Sequence, residues 1–241
     1  MARPMKPQTK PDDPEIKSLL EKAWEFSNKR NYAGAVQCLN GVLDLAPEKG
    51  LSEDAGFQVE TLISHCTAHE IDTALGQTVL GKFHLLHDQA PQAAPHFKRA
   101  LELSIESAKK KEKLSLHPGE FRLNYARAMM SVILSGAAEV PDDQLEDTDE
   151  IFLDVTEEQL EDIESSLLTA RECGLPGNRI NVYTMMFYEA TGREDKFREY
   201  AQRIINDLDD SKTNKEIAKI FLLRMDQSHE DKPEPPTQRY N

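Results

Sequence analysis

The hydrophobic residues of this chain recur at helical spacing along most of its length. Between residues 19 and 47, two short amphipathic segments each present one apolar face and are joined by a turn at 29–31. The residues on the two faces are Leu19, Ala23 and Phe26, then Ala35, Leu39 and Val42. Because Ala23 and Ala35 are small, the two backbones can approach closely. The pattern therefore predicts an antiparallel helical hairpin, which we expect to end at Pro47.

This hairpin resembles the tetratricopeptide repeat, a helix–turn–helix unit of about 34 residues. Tyr32 matches the aromatic position of the turn and Pro47 the closing proline, whereas Arg30 stands where a small residue is usual. A second copy is formed by Leu80, Gly81, His84, Ala93, Phe97, Ala100, Leu101 and Leu103. In that copy Gln77 replaces the apolar residue that opens the repeat, and no closing proline follows. The resemblance implies an all-α fold, an α-solenoid of antiparallel helical hairpins with about nine or ten helices.

Prolines, charge and hydrophobic pattern divide the chain into five segments. They are a flexible, weakly basic arm (1–13), helical hairpins (14–137), an acidic loop (138–155), further hairpins that continue the array (156–228) and a disordered tail (229–241). Within 52–88, two apolar stripes are out of phase near residues 71–73. This predicts either one long curved helix or two helices with a break there.

Several residues predict where individual helices begin. Pro14 and Pro118 are placed to open helices, and Ser52 to cap one. Thr156 with Gln159, and Thr213 with Glu216, have the spacing of capping boxes. In the hairpin of residues 180–208, which resembles a degenerate repeat, Phe197 replaces a small residue, so we expect that hairpin to open wider or to shift register.

Composition and charge disfavour some classes of binding partner. The chain has a net charge of −14 and a sequence pI near 5.0, which disfavours nucleic acid and anionic membranes as partners. No apolar run is long enough to cross a bilayer, and the first residues lack a signal-like apolar segment. The three cysteines, an odd number, are interpreted as reduced thiols in helices, so a cytoplasmic location is expected. The oligomeric state is left open.

Two patterns in the sequence resemble sites of known chemistry. Residues 76–82 come close to a phosphate-binding loop, but their flanks are helical and Phe83 takes the place of the required hydroxyl, so the glycines are interpreted as sites of close helix crossing. His65 and His69 lie one helical turn apart and could share a metal, but no acidic residue stands in the arrangement of a metalloprotease general base. We expect no cofactor and no catalytic residues.

The resemblance implies a concave, partner-binding groove lined by the first helix of each repeat. The groove residues that carry over are Lys17, Leu20, Trp24, Ser27, Asn28, Leu75, Thr78, Lys82, Leu85 and Leu86. Leu20 and Trp24 occupy the positions where a lysine and an asparagine would clamp a C-terminal carboxylate, so that binding mode is not expected. The apolar groove residues, flanked by Lys17 and Lys82, favour a peptide that carries acidic residues.

Trp24, the single tryptophan, is the expected anchor of this groove. Truncating it to alanine is expected to abolish partner binding and to leave folding nearly intact. The alternative is that the residues before the first helix, or another helix, cover Trp24.

The sequence thus predicts a non-catalytic protein–protein interaction module, a scaffold, adaptor or chaperone-like protein that binds a peptide or a partner helix. The alternative is a helical-bundle metal-binding protein or enzyme that uses the cluster of His65 and His69.

Overall fold

The structure is a computed structural model that describes residues 13–138, 156–207 and 210–230. These residues form ten α-helices and no strand, which confirms the predicted all-α class and the predicted number of helices. The helices are α1 (Pro14–Asn28), α2 (Tyr32–Lys49), α3 (Glu53–Glu70), α4 (Ala74–Leu86), α5 (Ala90–Lys109), α6 (Pro118–Ala138), α7 (Glu157–Glu172), α8 (Gly177–Ala190), α9 (Glu194–Asn206) and α10 (Lys212–Glu230).

The helices fall into two compact units that divide within α7, between Ile163 and Glu164. In the first unit each helix from α1 to α6 packs against the next one in the chain, and α1 also contacts α3 while α2 contacts α4. A shared core links α1 to α4; its members include Ile16, Leu20, Ala23, Ala35, Leu39, Val59, Leu62 and Val79. Each hairpin thus buries its apolar face against its neighbours, as in an α-solenoid.

The first hairpin has the predicted turn but not the predicted end. Arg30 has a φ of 57°, and the side chain of Asn31 accepts a hydrogen bond from the backbone N–H of Gly34, which caps α2. The prediction that Pro47 ends α2 is wrong, because the helix continues to Lys49. The helix continues for two residues beyond Pro47, and Gly50, with a φ of 74°, leaves the helical region and ends it.

The segment 52–88 forms two helices, α3 and α4, with a break at 71–73. Thr73 caps α4 by accepting a hydrogen bond from the N–H of Gly76 at 3.0 Å. A Cβ atom at Gly76 would lie 2.1 Å from the carbonyl oxygen of Glu70, and one at Gly81 would lie 2.8 Å from the Phe97 ring. Gly81 therefore allows the predicted close crossing of α4 and α5, whereas Gly76 makes room for the carbonyl group of Glu70 at the break between α3 and α4. Both glycines lie within a helix rather than in a phosphate-binding loop.

Most predicted caps are present. α1 begins at Pro14, α6 at Pro118, and Ser52 caps α3. Thr156 and Gln159 form the reciprocal hydrogen bonds of a capping box, at 2.9 and 3.3 Å.

The capping box predicted at Thr213 is wrong. α10 begins one residue earlier, at Lys212, because the Ser211 hydroxyl accepts the hydrogen bond from the N–H of Asn214, at 3.0 Å.

The second unit contains the remainder of α7 and helices α8, α9 and α10. α9 packs against α8 and α10, and Phe197 of α9 is completely buried, so this hairpin accommodates a large ring where the repeat pattern has a small residue. α10 ends at Glu230, two residues beyond the predicted limit. Residues 1–12 of the expected arm, 139–155 of the acidic loop and 231–241 of the tail lie outside the described residues.

Candidate interaction surface

Four of the ten predicted groove residues are buried in the helix packing. They are Leu20, Ser27, Leu75 and Thr78. Leu20 and Leu75 belong to the core shared by α1 to α4, and the Thr78 hydroxyl donates a hydrogen bond to the carbonyl of Ala74 at 2.8 Å. Because α3 packs against α1, and α2 against α4, these side chains face neighbouring helices. Their assignment to an open groove is therefore corrected: they hold the helices together.

Lys82, one of the two predicted flanking cations, is engaged within the fold. Its ammonium group donates hydrogen bonds to Oδ1 of Asn40 at 2.9 Å and to Oδ1 of Asp44 at 2.5 Å. Burial lowers the pKa of Lys82, while the charge of Asp44 opposes that shift. With its side chain only 13% exposed, Lys82 is a structural ion-pair partner and not a free cation at a groove.

The other predicted groove residues do not form one continuous strip. Lys17 and Asn28 are exposed on α1. Leu85 and Leu86 are half-buried but pack against different clusters: Leu85 against the core of α5 and α6, and Leu86 against the core of α1 to α4. Trp24 is half-buried and also packs against the second of these cores.

Trp24 lines an open depression between α1 and α3 of about 760 Å³, which we call the Trp24 depression. Its other walls are Phe57, Glu60, Thr61, Ser64 and His65, all from α3. The indole Nε1–H of Trp24 donates a hydrogen bond to Oε1 of Gln58, and this fixes the ring at one side of the depression. Phe57 is 71% exposed, the largest exposed fraction among the large hydrophobic residues that the structure describes.

A second depression, of about 480 Å³, lies where the end of α2, the start of α3 and the end of α4 meet. We call it the Leu86 depression, because Leu86 and Phe83 of α4 line it, together with Leu51 and Gly56. Phe57 and Glu60 line this depression as well as the Trp24 depression. The two depressions thus adjoin at α3, with an exposed aromatic side chain shared between them.

The two histidines proposed as a metal site are each engaged by another side chain. Nδ1 of His65 lies 3.1 Å from the hydroxyl oxygen of Ser27, and the His69 ring stacks on Tyr32 with 3.9 Å between centroids. The histidine rings are 6.0 Å apart and nearly perpendicular. In the described part of the chain, no three His, Cys, Asp or Glu side chains converge in a way that could hold a metal ion. The pair therefore lacks the third protein ligand of a typical catalytic zinc site.

Sequence reasoning missed Phe57, and a signal for it exists. The apolar stripe of α3 consists of Val59, Leu62, Ile63 and Cys66. Phe57 falls outside this stripe, among the polar positions of the helix. A large aromatic residue on the polar face of a helix stays exposed when the apolar stripe packs, so the sequence alone identifies Phe57 as a candidate surface residue.

Comparisons with protein-family models, with curated proteins and with solved structures found no match to this chain. None of the helices in the described part of the chain is both long and apolar enough to span a membrane.

Proposed function

We propose that this protein is a non-catalytic protein–protein interaction module, similar to tetratricopeptide-repeat proteins, that binds a peptide or a partner helix at the Trp24 depression. The observation that carries this proposal is the exposure of Phe57 between two depressions. An aromatic side chain of this size exposes apolar surface to water, and a partner that covers it gains about 25 cal/mol for each Å² of that surface. Aromatic residues beside concave surfaces are frequent binding hot spots.

The charge of the lining residues indicates the chemistry of the partner. Glu60 borders both depressions and Glu53 borders the Leu86 depression, whereas no described lysine or arginine lines either of them. The partner segment that fits this surface carries an apolar anchor together with lysine or arginine residues. The sequence alone favoured a peptide with acidic residues, because Lys17 and Lys82 were expected to flank the groove. A basic partner is proposed instead, since Lys82 is paired with Asp44.

The broader role, a scaffold or adaptor in the cytoplasm, remains part of the proposal. It is supported by the helical hairpins of the first unit, in which each helix from α1 to α6 packs on the next, and by the acidic character of the chain. Stacked helical hairpins create extended surfaces that suit recognition of peptides and helices.

Selection from a displayed peptide library on the immobilised protein tests this function. We expect the enriched peptides to combine an aromatic or large aliphatic residue with lysine or arginine, because these groups match Phe57, Trp24 and Glu60. A parallel selection on the Phe57→Ser variant serves as the control and should lose this family of peptides. Enrichment of acidic peptides, or the same peptides on both proteins, would contradict the proposal.

A further inference from the structure

The second unit contains a depression of about 670 Å³, which we call the Asn181 depression. Three helices line it, with Arg171 in the last turn of α7, Asn181 on α8 and a row of α9 residues that begins at Glu199 and ends at Asn206. Every described residue that lines this depression is polar, whereas aromatic side chains line the Trp24 and Leu86 depressions. Polar groups that lose their water need hydrogen bonds from the ligand in exchange, so the ligand that fits here is polar over most of its surface.

Asn181 has an unused hydrogen-bonding group. The residue is 3% exposed, and its Oδ1 is a buried acceptor that has no hydrogen-bond partner among the described residues. A buried acceptor without a partner costs free energy, and native proteins usually provide a partner for such a group. Because Asn181 lines the depression, a ligand that reaches its carboxamide can supply the missing hydrogen bond.

Arg171 is the cation that this depression offers to a ligand. The guanidinium group of the other lining arginine, Arg203, is paired with Glu199, one turn earlier on α9, and its Cζ lies 4.8 Å from the centre of the Tyr200 ring. Arg171 is exposed, and within the described part of the chain its side chain makes no ion pair or hydrogen bond. A guanidinium group binds a carboxylate through two parallel hydrogen bonds, so Arg171 suits a ligand with one carboxylate.

The acidic residues of the lining disfavour two other charged groups. Glu199 is paired with Arg203, and Asp207 is also engaged within the protein, so the ammonium group of an amino acid would find no unpaired carboxylate in the described lining. A phosphate group carries a charge of about −2 and is repelled by Glu199 and Asp207 more strongly than a carboxylate is. A hydroxyl group carries no charge and can still donate a hydrogen bond to these oxygens.

The carboxamides of α9 leave one donor and one acceptor for a ligand. Nε2 of Gln202 donates a hydrogen bond to Oδ1 of Asn206 at 3.3 Å, which leaves Oε1 of Gln202 and Nδ2 of Asn206 to face other groups. Hydroxyl groups match such a pair, because each of them can both donate and accept.

We propose that the Asn181 depression binds a hydroxyl-rich monocarboxylate, the chemical class of the sugar acids. The carboxylate pairs with Arg171, and the hydroxyl groups exchange hydrogen bonds with the carboxamides of Asn181, Gln202 and Asn206. The volume lies within the range of about 300–1,000 Å³ that is usual for small-molecule sites.

This site goes beyond the proposed function and does not depend on it. It belongs to the second unit, whereas the Trp24 depression belongs to the first. It is lined mainly by α9, the second helix of its hairpin, and not by the first helices that line the groove of tetratricopeptide repeats.

Nuclear magnetic resonance titration of the isotopically labelled full chain tests the proposal, with sodium glucuronate as the probe. We expect glucuronate to shift the side-chain amide signals of Asn181, Gln202 and Asn206. Glucose, which lacks the carboxylate, is the matched control ligand and should bind about tenfold more weakly, because it cannot form the charge-assisted pair with Arg171. Inorganic phosphate and glycine should also bind more weakly than glucuronate.

The substitution Arg171→Gln tests the role of the guanidinium group. It should weaken the binding of glucuronate about tenfold and leave the weaker binding of glucose nearly unchanged. Lys98→Gln, at an exposed position of α5, makes the same change in net charge and is the matched control. It should leave the binding of glucuronate unchanged.

The substitution Asn181→Leu distinguishes a ligand-binding role of Asn181 from a structural one. Leucine has a similar size but no acceptor, so Asn181→Leu should weaken the binding of glucuronate about tenfold. The same substitution removes an unpaired buried acceptor, so the melting temperature should stay unchanged or rise. A residue that served only the packing of α8 would show the opposite, a lower melting temperature with unchanged affinity.

Four results would overturn this inference. They are no binding of glucuronate, binding of glucose or phosphate as tight as that of glucuronate, an affinity that Arg171→Gln leaves unchanged, or a lower melting temperature of Asn181→Leu. None of them bears on partner binding at the Trp24 depression, which is measured with library peptides on the Phe57→Ser variant.

Discussion

The indole Nε1–H of Trp24 donates a hydrogen bond to Oε1 of Gln58, 3.3 Å away, and so joins α1 to α3. Trp24 also packs against the core of α1 to α4. The residue expected to be a pure binding anchor is therefore part of the helix packing as well. From the sequence alone, Trp24→Ala is expected to leave folding nearly intact. With Trp24 packed against the core, the substitution should instead lower the free energy of unfolding by about 1–3 kcal/mol, which is less than for a fully buried tryptophan because Trp24 is half-buried. Phe57, which is exposed, is the better residue for testing binding.

The hydrogen bond itself gives the first prediction. Gln58→Ala should lower the free energy of unfolding by about 0.5–1.5 kcal/mol, the usual net contribution of one hydrogen bond. Urea denaturation followed by the emission of Trp24, the single tryptophan, measures this directly. Gln37→Ala, at an exposed position of α2, is the control. Equal stability of the two variants would show that the bond contributes nothing.

The second prediction concerns the crossing of α1 and α2. Ala35 is completely buried there, so Ala35→Trp should destabilise the protein by about 1–3 kcal/mol or more through overpacking. Ala33 is exposed two residues earlier on the same helix, and Ala33→Trp should have little effect. Chemical denaturation compares the two. Equal free energies of unfolding for Ala35→Trp and Ala33→Trp would contradict the hairpin assignment.

The third prediction contrasts two glycines. A Cβ at Gly81 would lie 2.8 Å from atoms of the buried Phe97 ring, so Gly81→Ala should destabilise by about 1–3 kcal/mol even though alanine favours helix. At Gly56 the added methyl group has open space, and Gly56→Ala should stabilise α3 by about 0.5–1 kcal/mol. Thermal melting distinguishes the two variants, which should shift in opposite directions. A shift of the same sign in both would contradict the close packing of α4 on Phe97.

The fourth prediction is a pH dependence in the second unit. Burial raises the pKa of Glu164, but hydrogen bonds from Lys196, Tyr188 and Arg193 outweigh it, and the pKa lies below its usual value of 4.5. A lowered pKa contributes stability that is present above pH 4.5 and is lost as the pH falls through the pKa of the folded state.

The variant Glu164→Gln should therefore be less stable than the wild type at pH 7, by about 1–3 kcal/mol. The difference should shrink as the pH is lowered from 4.5 through the pKa of Glu164 in the folded protein, where its carboxylate becomes protonated. Guanidinium denaturation at a series of pH values measures it, with Glu161→Gln, at an exposed position, as the control. A difference that stays constant across this range would show that the charge of Glu164 does not stabilise the fold.

Local signals in the sequence predicted most of the fold. The caps at Ser52 and Thr156 and the small residues Ala23 and Ala35 each depend on a few neighbouring residues, and the structure places all of them as predicted. Of the two alternatives left open for 52–88, the structure has the two helices with a break at 71–73. Pro47 does not end α2, because the helix ends only where Gly50 adopts a positive φ.

The candidate site was less predictable, because it depends on which helices cover one another. Periodicity places Leu20 and Thr78 on a helix face but does not show that α3 covers α1, or that α2 packs on α4. Lys82 pairs with Asp44 of α2, which is 38 positions away in the chain. The sequence does not show this ion pair, because it depends on the packing of α2 against α4. Phe57 needed no tertiary information, since its position outside the apolar stripe of α3 is visible in the sequence.

The dissociation constant of a library-selected basic peptide, measured by isothermal titration for the wild type and for Phe57→Ser, tests the proposed docking surface most directly. Phe57 is exposed, so the substitution should leave the circular dichroism spectrum and the melting temperature unchanged. If Phe57 is a hot spot, the dissociation constant should rise about thirtyfold or more, which corresponds to about 2 kcal/mol. Leu223→Ser, in the second unit, should bind the peptide like the wild type. The same dissociation constant for Phe57→Ser and the wild type would contradict the assignment of partner binding to this surface.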